Sequence, residues 1–171
     1  MKDKKSLIIY FSRADENYFG GEMRYIDKGN TEVIAEYIKD ITGGELFKVE
    51  PLNPYPSNYM KCIEEAKIRT REHNAPIKEN IPDISSYEII YVGSPIYWGG
   101  MPEELFTALK GYDYTGKTIR PFTTHEGSGL SGVPNQLKEI CVGANFTSGL
   151  AIVGSEVNSS KSKVEQWIDN N

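Results

Sequence analysis

Three short stretches of this chain carry residue types that bind ligands. Ser12-Arg13 and, after an interval, Gly29-Asn30-Thr31 bring hydroxyl and amide side chains to the start of a predicted helix. The unpaired first-turn N–H groups and the positive dipole end of such a helix suit a phosphate-like anion. Taken singly, Asn30 or Thr31 is no more than an N-cap; together with Ser12 the anion site becomes an equal reading. The second stretch, Gly93-Ser94-Pro95-Ile96-Tyr97-Trp98-Gly99-Gly100-Met101-Pro102, holds two large aromatics between glycines and prolines. A loop so fixed can offer a ring face or backbone amides to a flat heterocycle, or can simply close the top of a core. The third, Thr124-His125-Glu126-Gly127-Ser128-Gly129-Leu130-Ser131-Gly132, leaves backbone donors uncovered and allows a ligand close approach.

Gly127, Gly129 and Gly132 also spell G-x-G-x-x-G, the dinucleotide fingerprint. That motif normally opens the first βαβ unit, whereas here it lies late in the chain, after a proline-containing strand, with only Glu156 loosely placed to meet a ribose. A nicotinamide site is therefore not read from it. His125, one of two histidines, suits a hydrogen-bonding loop position better than a catalytic one. Other chemistries leave no trace: there is no G-x-x-x-x-G-K-[ST], no G-x-S-x-G, and no acidic pair or C-x-x-x-x-x-R after the first strand. Cys62 and Cys141 stand far apart without a metal-ligand pattern, and are expected to be reduced and structural.

The elements that must position these stretches alternate along the chain. Short β-forming runs are expected at Ser6 to Phe11, Glu45 to Glu50, Tyr87 to Val92, Lys117 to Thr124 and Phe146 to Val153. Helical patterns fall between and after them. They run from Asn30 to Thr42, from a Ser57 cap to about His73, from Glu103 to Lys110, from Val133 to Val142 and from Asn158 to Ile168. Pro121 inside the fourth strand is an objection, because proline cannot donate to a sheet ladder. The alternation predicts an α/β fold, a three-layer, doubly wound, five-stranded parallel sheet, as one domain over residues 1–171. In such a sheet ligands bind outside the carboxyl ends of the strands, which is where all three stretches fall.

Bulk properties agree with that reading. The 171 residues are 39% hydrophobic and 25% charged, enough for one sizeable core. Nineteen Lys and Arg against 24 Asp and Glu give a formal charge of -5, which argues against a nucleic-acid partner. The charged lead-in Met1 to Lys5 and the six apolar-rich residues after it are too short for a secretion signal or a membrane span, so a cytoplasmic protein without membrane contact is expected.

Taken together, Tyr10-Phe11-Ser12-Arg13, Gly29-Asn30-Thr31-Glu32, Ser94 to Pro102 and Phe122 to Gly129 closely resemble the flavodoxin-like family, in the right order over nearly the whole chain. The resemblance implies a flavodoxin-like fold and a bound FMN. It implies that Ser12, Arg13, Asn30 and Thr31 contact the phosphate, and that Pro95, Ile96, Tyr97, Trp98 and Gly99 line one side of the ring. Thr124, His125, Glu126, Gly127, Ser128 and Gly129 would surround the other edge. One departure stands out: about fifteen residues, Ala14 to Lys28, separate the two halves of the phosphate loop. Similar inserts beginning with an acidic-Asn-Tyr element occur in a subgroup of the family, which makes Asn17 a further candidate ligand.

The resemblance implies an electron-transfer protein working with redox partner proteins or a small planar acceptor, as a monomer or weak dimer. Two alternatives remain: an NAD(P)H-dependent FMN reductase of quinone type, with Tyr18, Phe19, Tyr25 and Tyr97 as walls for a second planar molecule, and a flavin-free interaction module. The glycines at 20, 21 and 29 suggest an insert able to close over a ligand.

Overall fold

A computed structural model describes residues 4–171; Met1, Lys2 and Asp3 of the charged lead-in lie outside the described part. The chain runs through β1 (Ser6–Tyr10), β2 (Asp15–Phe19), β3 (Glu22–Ile26), α1 (Asn30–Thr42), β4 (Glu45–Lys48) and α2 (Tyr59–Glu72). It continues through β5 (Ile89–Pro95), α3 (Glu103–Leu109), β6 (Thr118–His125), α4 (Val133–Ile140), β7 (Asn145–Phe146) and β8 (Leu150–Val153). A 3₁₀ turn (Gly154–Ser159) and α5 (Lys161–Asp169) close it.

The main sheet is parallel, in the order β4, β1, β5, β6, with β7 and β8 both on the outer edge of β6. Alternation along β1 divides the core between the two faces of the sheet. Leu7, Ile9 and Phe11 pack with Leu105, Leu109, Val133 and Leu137 of α3 and α4. Ile8 and Tyr10 pack with Ile34, Ile38, Val164 and Trp167 of α1 and α5. Helices on both faces make the three layers expected of the α/β class. Among the described residues no helix is long and apolar enough to cross a membrane.

The fifth strand position corrects the expectation of one strand from Phe146 to Val153. Two short strands share it: β7 pairs with Thr118 and Ile119, and β8 with Phe122 to His125. Pro121 explains the break. The Ile119 carbonyl accepts the Thr147 N–H at 3.2 Å, so the polar groups of Ile119, and of Pro121 two residues on, face this edge. The N–H that proline lacks falls where Thr147 to Gly149 leave the ladder, and there the Ser148 carbonyl accepts the Trp167 indole N–H at 2.7 Å instead. A proline that was an obstacle to one continuous strand marks the point where the strand divides.

Smaller corrections follow local chemistry. Asn58, not Ser57, caps α2: its side-chain oxygen accepts the Lys61 N–H at 3.0 Å. β4 ends at Lys48 and β5 runs from Ile89 to Pro95. The 3₁₀ turn and α5 replace the single helix from Asn158 to Ile168. The Ala14 to Lys28 insert holds the antiparallel hairpin β2–β3. Its turn is Gly20-Gly21, both at positive φ (55° and 105°), which is the conformation a two-residue hairpin loop needs.

Candidate functional site

At the carboxyl ends of β1, β5 and β6 lies a cavity of about 320 Å³. Its first wall is the start of α1. Ser12 Oγ accepts the Glu32 N–H at 3.0 Å, so a residue from the end of β1 satisfies a first-turn amide that Gly29, the N-cap, has no side chain to reach. Gly29 is required by proximity. A methyl group in place of its hydrogen would lie 2.1 Å from Ser12 Oγ and 2.7 Å from the Arg13 carbonyl oxygen. The first bond along the helix backbone runs from Val33 N–H to the Gly29 carbonyl, leaving the amides of Asn30 and Thr31 ahead of it. Buried Thr31 shares a 2.8 Å hydroxyl contact with Thr124 and so ties α1 to the end of β6.

The second wall is the turn after β5. Tyr97 and Gly100 exchange two backbone hydrogen bonds, which places Trp98 (φ 52°) and Gly99 (φ 84°) in the left-handed region. Trp98 is the unusual member, since bulky residues rarely adopt that conformation. Its indole N–H donates to the Ile63 carbonyl of α2 at 2.8 Å, while the ring stays 54% exposed on the cavity rim. Tyr97 packs edge-on against Phe11 and Tyr55, and burial pushes its hydroxyl well above the ordinary phenol range.

The third wall is the end of β6 and the loop after it. Thr124, His125, Glu126 and Ser128 face the cavity. His125 Nδ1 accepts the Gly127 N–H at 2.9 Å, which keeps that loop turned. Burial raises the Glu126 carboxyl above its ordinary range, against the opposing pull of the Gly20 N–H, His125 and Arg24.

Thirteen of the sixteen candidate residues line this cavity: Ser12, Arg13, Asn17, Asn30, Thr31, Pro95, Ile96, Tyr97 and Trp98 in the first two walls, and the four just named in the third. Gly99, Gly127 and Gly129 do not. The Gly99 carbonyl is taken by Gly132 N–H at 3.0 Å and Ser131 Oγ at 2.8 Å, and the Gly129 carbonyl by Thr123 Oγ1 at 2.9 Å. With the Gly132 amide so engaged, the G-x-G-x-x-G run stitches two loops together rather than presenting an open cradle.

Two of the thirteen turn donors toward the base of the hairpin and the loop before α2. Arg13 donates to the carbonyls of Glu16, Pro56 and Ser57, the last two at 2.8 Å. Asn17 donates to the carbonyls of Arg13 and Ala14 at 3.2 and 3.1 Å. The hairpin base is clamped further, because Glu16 N–H donates to the Ser57 carbonyl and Glu16 Oε1 accepts the Tyr59 N–H at 2.8 Å. Its tip reaches the far rim, where Gly20 N–H donates to Glu126 Oε2 at 3.2 Å. The insert thus spans the cavity mouth.

The residues that no motif pointed to belong to α2: Tyr59, Cys62, Ile63 and Ala66 also line the cavity, as does Tyr18 of the hairpin, whereas Phe19 and Tyr25, named with it as walls for a second planar molecule, do not. Tyr18 and Tyr59 stack at 6.1 Å between ring centres. The hairpin could have been found from Gly20-Gly21 between two five-residue runs; the α2 stripe carries no ligand motif. Both cysteines are free and buried, but only Cys141 is purely a core residue. Burial alone pushes the Cys141 thiol up to about 12.

The flavodoxin family pattern matches residues 23–171, which takes in the cavity lining except the Ser12 to Tyr18 segment. The chain belongs to the flavodoxin family. Its fold is similar to that of a protein from Bacteroides uniformis described as a flavoprotein, with 23% identity and a TM-score of 0.77 over 97% of this chain and 98% of that one. It is similar also to a flavoprotein from Lactobacillus acidophilus solved in complex with FMN, with 24% identity and a TM-score of 0.63 over 91% and 97% of the two chains. Oxidised flavodoxin 2 from Bacillus cereus shares the flavodoxin architecture at 20% identity and a TM-score of 0.54, over 98% and 99%. No curated protein matches the chain.

Proposed function

We propose that this flavodoxin-family chain binds FMN without a covalent bond in the cavity described and serves as an electron carrier in the cytoplasm. The observation that carries the reading is the division of the cavity into a polar end and a flat apolar end. The first-turn amides of α1, with Ser12, Asn30 and Thr31, suit a phosphate. Arg13 is the only lysine or arginine among the described lining residues; its Nη groups are engaged by the Glu16, Pro56 and Ser57 carbonyls, while its buried Nε has no hydrogen-bond partner. The phosphate would therefore be held by neutral donors and the helix dipole, with Arg13 as the one cation at the wall. Ile96, Tyr97, Trp98, Ile63 and Ala66 suit the faces and edge of an aromatic ring. A neighbour of the same fold is itself an FMN complex, which supports the same ligand.

Bound FMN would supply the capacity to take up and release electrons; the chain supplies binding, orientation and exclusion of water. Thr31 and Thr124 would hold the polar end, Tyr97 and Trp98 would orient the ring, and the hairpin would cover the mouth. A volume of about 320 Å³ lies at the low end for ligand cavities, about 300–1,000 Å³. That suits one flat molecule and favours a carrier over a reductase that must seat a second. The reductase reading keeps one specific support, the Tyr18–Tyr59 stack on the rim, which offers an aromatic face to a planar acceptor.

Titrating the apoprotein with FMN while following flavin fluorescence tests the cofactor. Saturable quenching at one FMN per chain is expected, and fluorescence that stays at the level of free FMN defeats the proposal. Steady-state NADPH and NADH oxidation with a panel of quinones separates the two roles. Rates no faster than free FMN support the carrier, and faster turnover supports the reductase.

A further inference from the structure

Behind the cavity wall lies a charge pair outside all three ligand loops. The buried stripe of α2 is Cys62, Ala66 and Arg69, spaced four and three residues apart and so on one helix face. Cys62 and Ala66 line the cavity, and Arg69 continues the stripe about 4.5 Å further along the helix axis. There Arg69 Nη1 meets Glu104 Oε1 of α3 at 2.8 Å. The Glu104 side chain is 0% exposed and that of Arg69 10%. Arg69 Nε also reaches Glu65 at 3.0 Å. The second Glu104 oxygen accepts the Tyr55 hydroxyl at 2.9 Å, and the Arg69 guanidinium lies 4.0 Å over the Tyr55 ring. Tyr55 packs edge-on against Tyr97 at 5.8 Å, and the Tyr97 hydroxyl lies 4.0 Å from Cys62 Sγ. A ring of contacts therefore joins the buried pair to two side chains of the cavity wall.

A buried ion pair contributes little net stability, because desolvation offsets the attraction. Its field, however, is weakly screened in the interior and reaches whatever sits at the wall. We propose that Glu104 and Arg69 are positioning residues that set the electrostatic potential of the cavity wall, and through it the midpoint potential of bound FMN. The potential part rests on the FMN reading above. Glu104 disfavours added negative charge at the wall and Arg69 favours it. The Cys62 thiol senses the same field: burial pushes it up, Arg13, the Tyr97 hydroxyl and Arg69 pull it down, and Glu104 pushes it up again. Tyr55 and Tyr59 are further titratable groups beside it, and Glu65 reaches it through Arg69.

The test uses Arg69→Met, which keeps the aliphatic length, and Glu104→Gln, which keeps the shape. Iodoacetamide alkylation of Cys62 in the apoprotein, resolved from Cys141 by peptide mass, needs no flavin. The midpoint of its pH–rate profile should move up in Arg69→Met and down in Glu104→Gln. The midpoint potential of the FMN-loaded variants should move down in the first and up in the second. Wild-type chain that binds no FMN would sink the cofactor reading while leaving the alkylation test intact. A wall that was merely loosened would shift both variants in one direction; that result, or no shift in either, overturns the proposal. If a single variant fails to fold, Arg69→Met combined with Glu104→Gln removes both buried charges and leaves only the partly exposed Glu65 without its partner, so its Cys62 profile should lie closer to the wild-type position than that of the other single variant. A double variant displaced as far as that single variant overturns it as well.

Discussion

The α1 wall and the α2 wall of the cavity are built by opposite means. At α1 the contacts are polar and come from short motifs: Ser12 on the Glu32 amide, Gly29 against the Ser12 hydroxyl and the Arg13 carbonyl, and Thr31 on Thr124. At α2 they are largely apolar and aromatic, held from a distance by the hairpin, the Trp98 indole and a buried ion pair. The first wall has little freedom to adapt, because each atom has one place to be. The second is a packed surface, in which many small contacts share the work.

Crowding at Gly29 offers the sharpest way to break the first wall. Valine there would push against Ser12 and the Arg13 carbonyl, with an expected cost of about 1–3 kcal/mol in urea unfolding and FMN binding below detection. Normal FMN titration of Gly29→Val would show that the α1 wall adapts after all. Thr31→Ala follows. It removes the hydroxyl shared with Thr124 and, on the proposed binding mode, a donor to the phosphate, and should weaken FMN by roughly 10 to 150-fold, the equivalent of about 1.5–3 kcal/mol. Fluorescence titration reads it directly, and an unchanged affinity would move the phosphate away from α1.

This difference between the walls also explains what could be read from the chain alone. Ser12, Asn30, Thr31 and the Pro95 to Trp98 turn were legible because each lies in a local motif at the carboxyl end of a strand. The alternation of strands and helices was legible because burial on both sheet faces leaves near-continuous apolar runs such as Ser6 to Phe11. Cys62, Ile63 and Ala66 were not, because their place in the site depends on where α2 packs, and that is settled by Glu16, Trp98 and Glu104, far away in sequence. Arg13 and Asn17 were found as cavity residues, yet their hydrogen bonds at the hairpin base and to the loop before α2 could not be foreseen without the hairpin itself.

The start of α2 gives a more moderate test. Asn58→Ala should cost about 1 kcal/mol by loss of the Lys61 N–H cap, whereas Ser57→Ala should change stability by less than about 0.5 kcal/mol. Thermal melts of the two variants decide which residue caps the helix. Glu16→Ala, which removes the acceptor of the Tyr59 N–H and undocks the hairpin base, should again cost about 1 kcal/mol. It should weaken FMN much less than Thr31→Ala does, and the reverse order would make the hairpin, not α1, the main source of affinity.

The smallest effect belongs to Tyr18, whose ring is 38% exposed and stacks on Tyr59. Aromatic pairs contribute about 0.5–1.5 kcal/mol beyond their buried area, and a partly solvated pair sits at the lower end. Tyr18→Ala should therefore leave the global melting midpoint nearly unchanged, since the hairpin is a separate two-stranded sheet and none of its residues belongs to either core cluster. Local opening of the hairpin is another matter. When opening and closing are fast relative to cleavage, proteolysis follows the open population, so about 0.5–1 kcal/mol becomes a two- to fivefold rise in trypsin cutting after Arg24. FMN added before the protease should slow that cutting in the wild type if the closed hairpin is the ligand-bound form. Cutting at Arg24 that ignores both the Tyr18 substitution and FMN would place the hairpin's stability elsewhere, in the Arg13 and Glu16 clamps at its base.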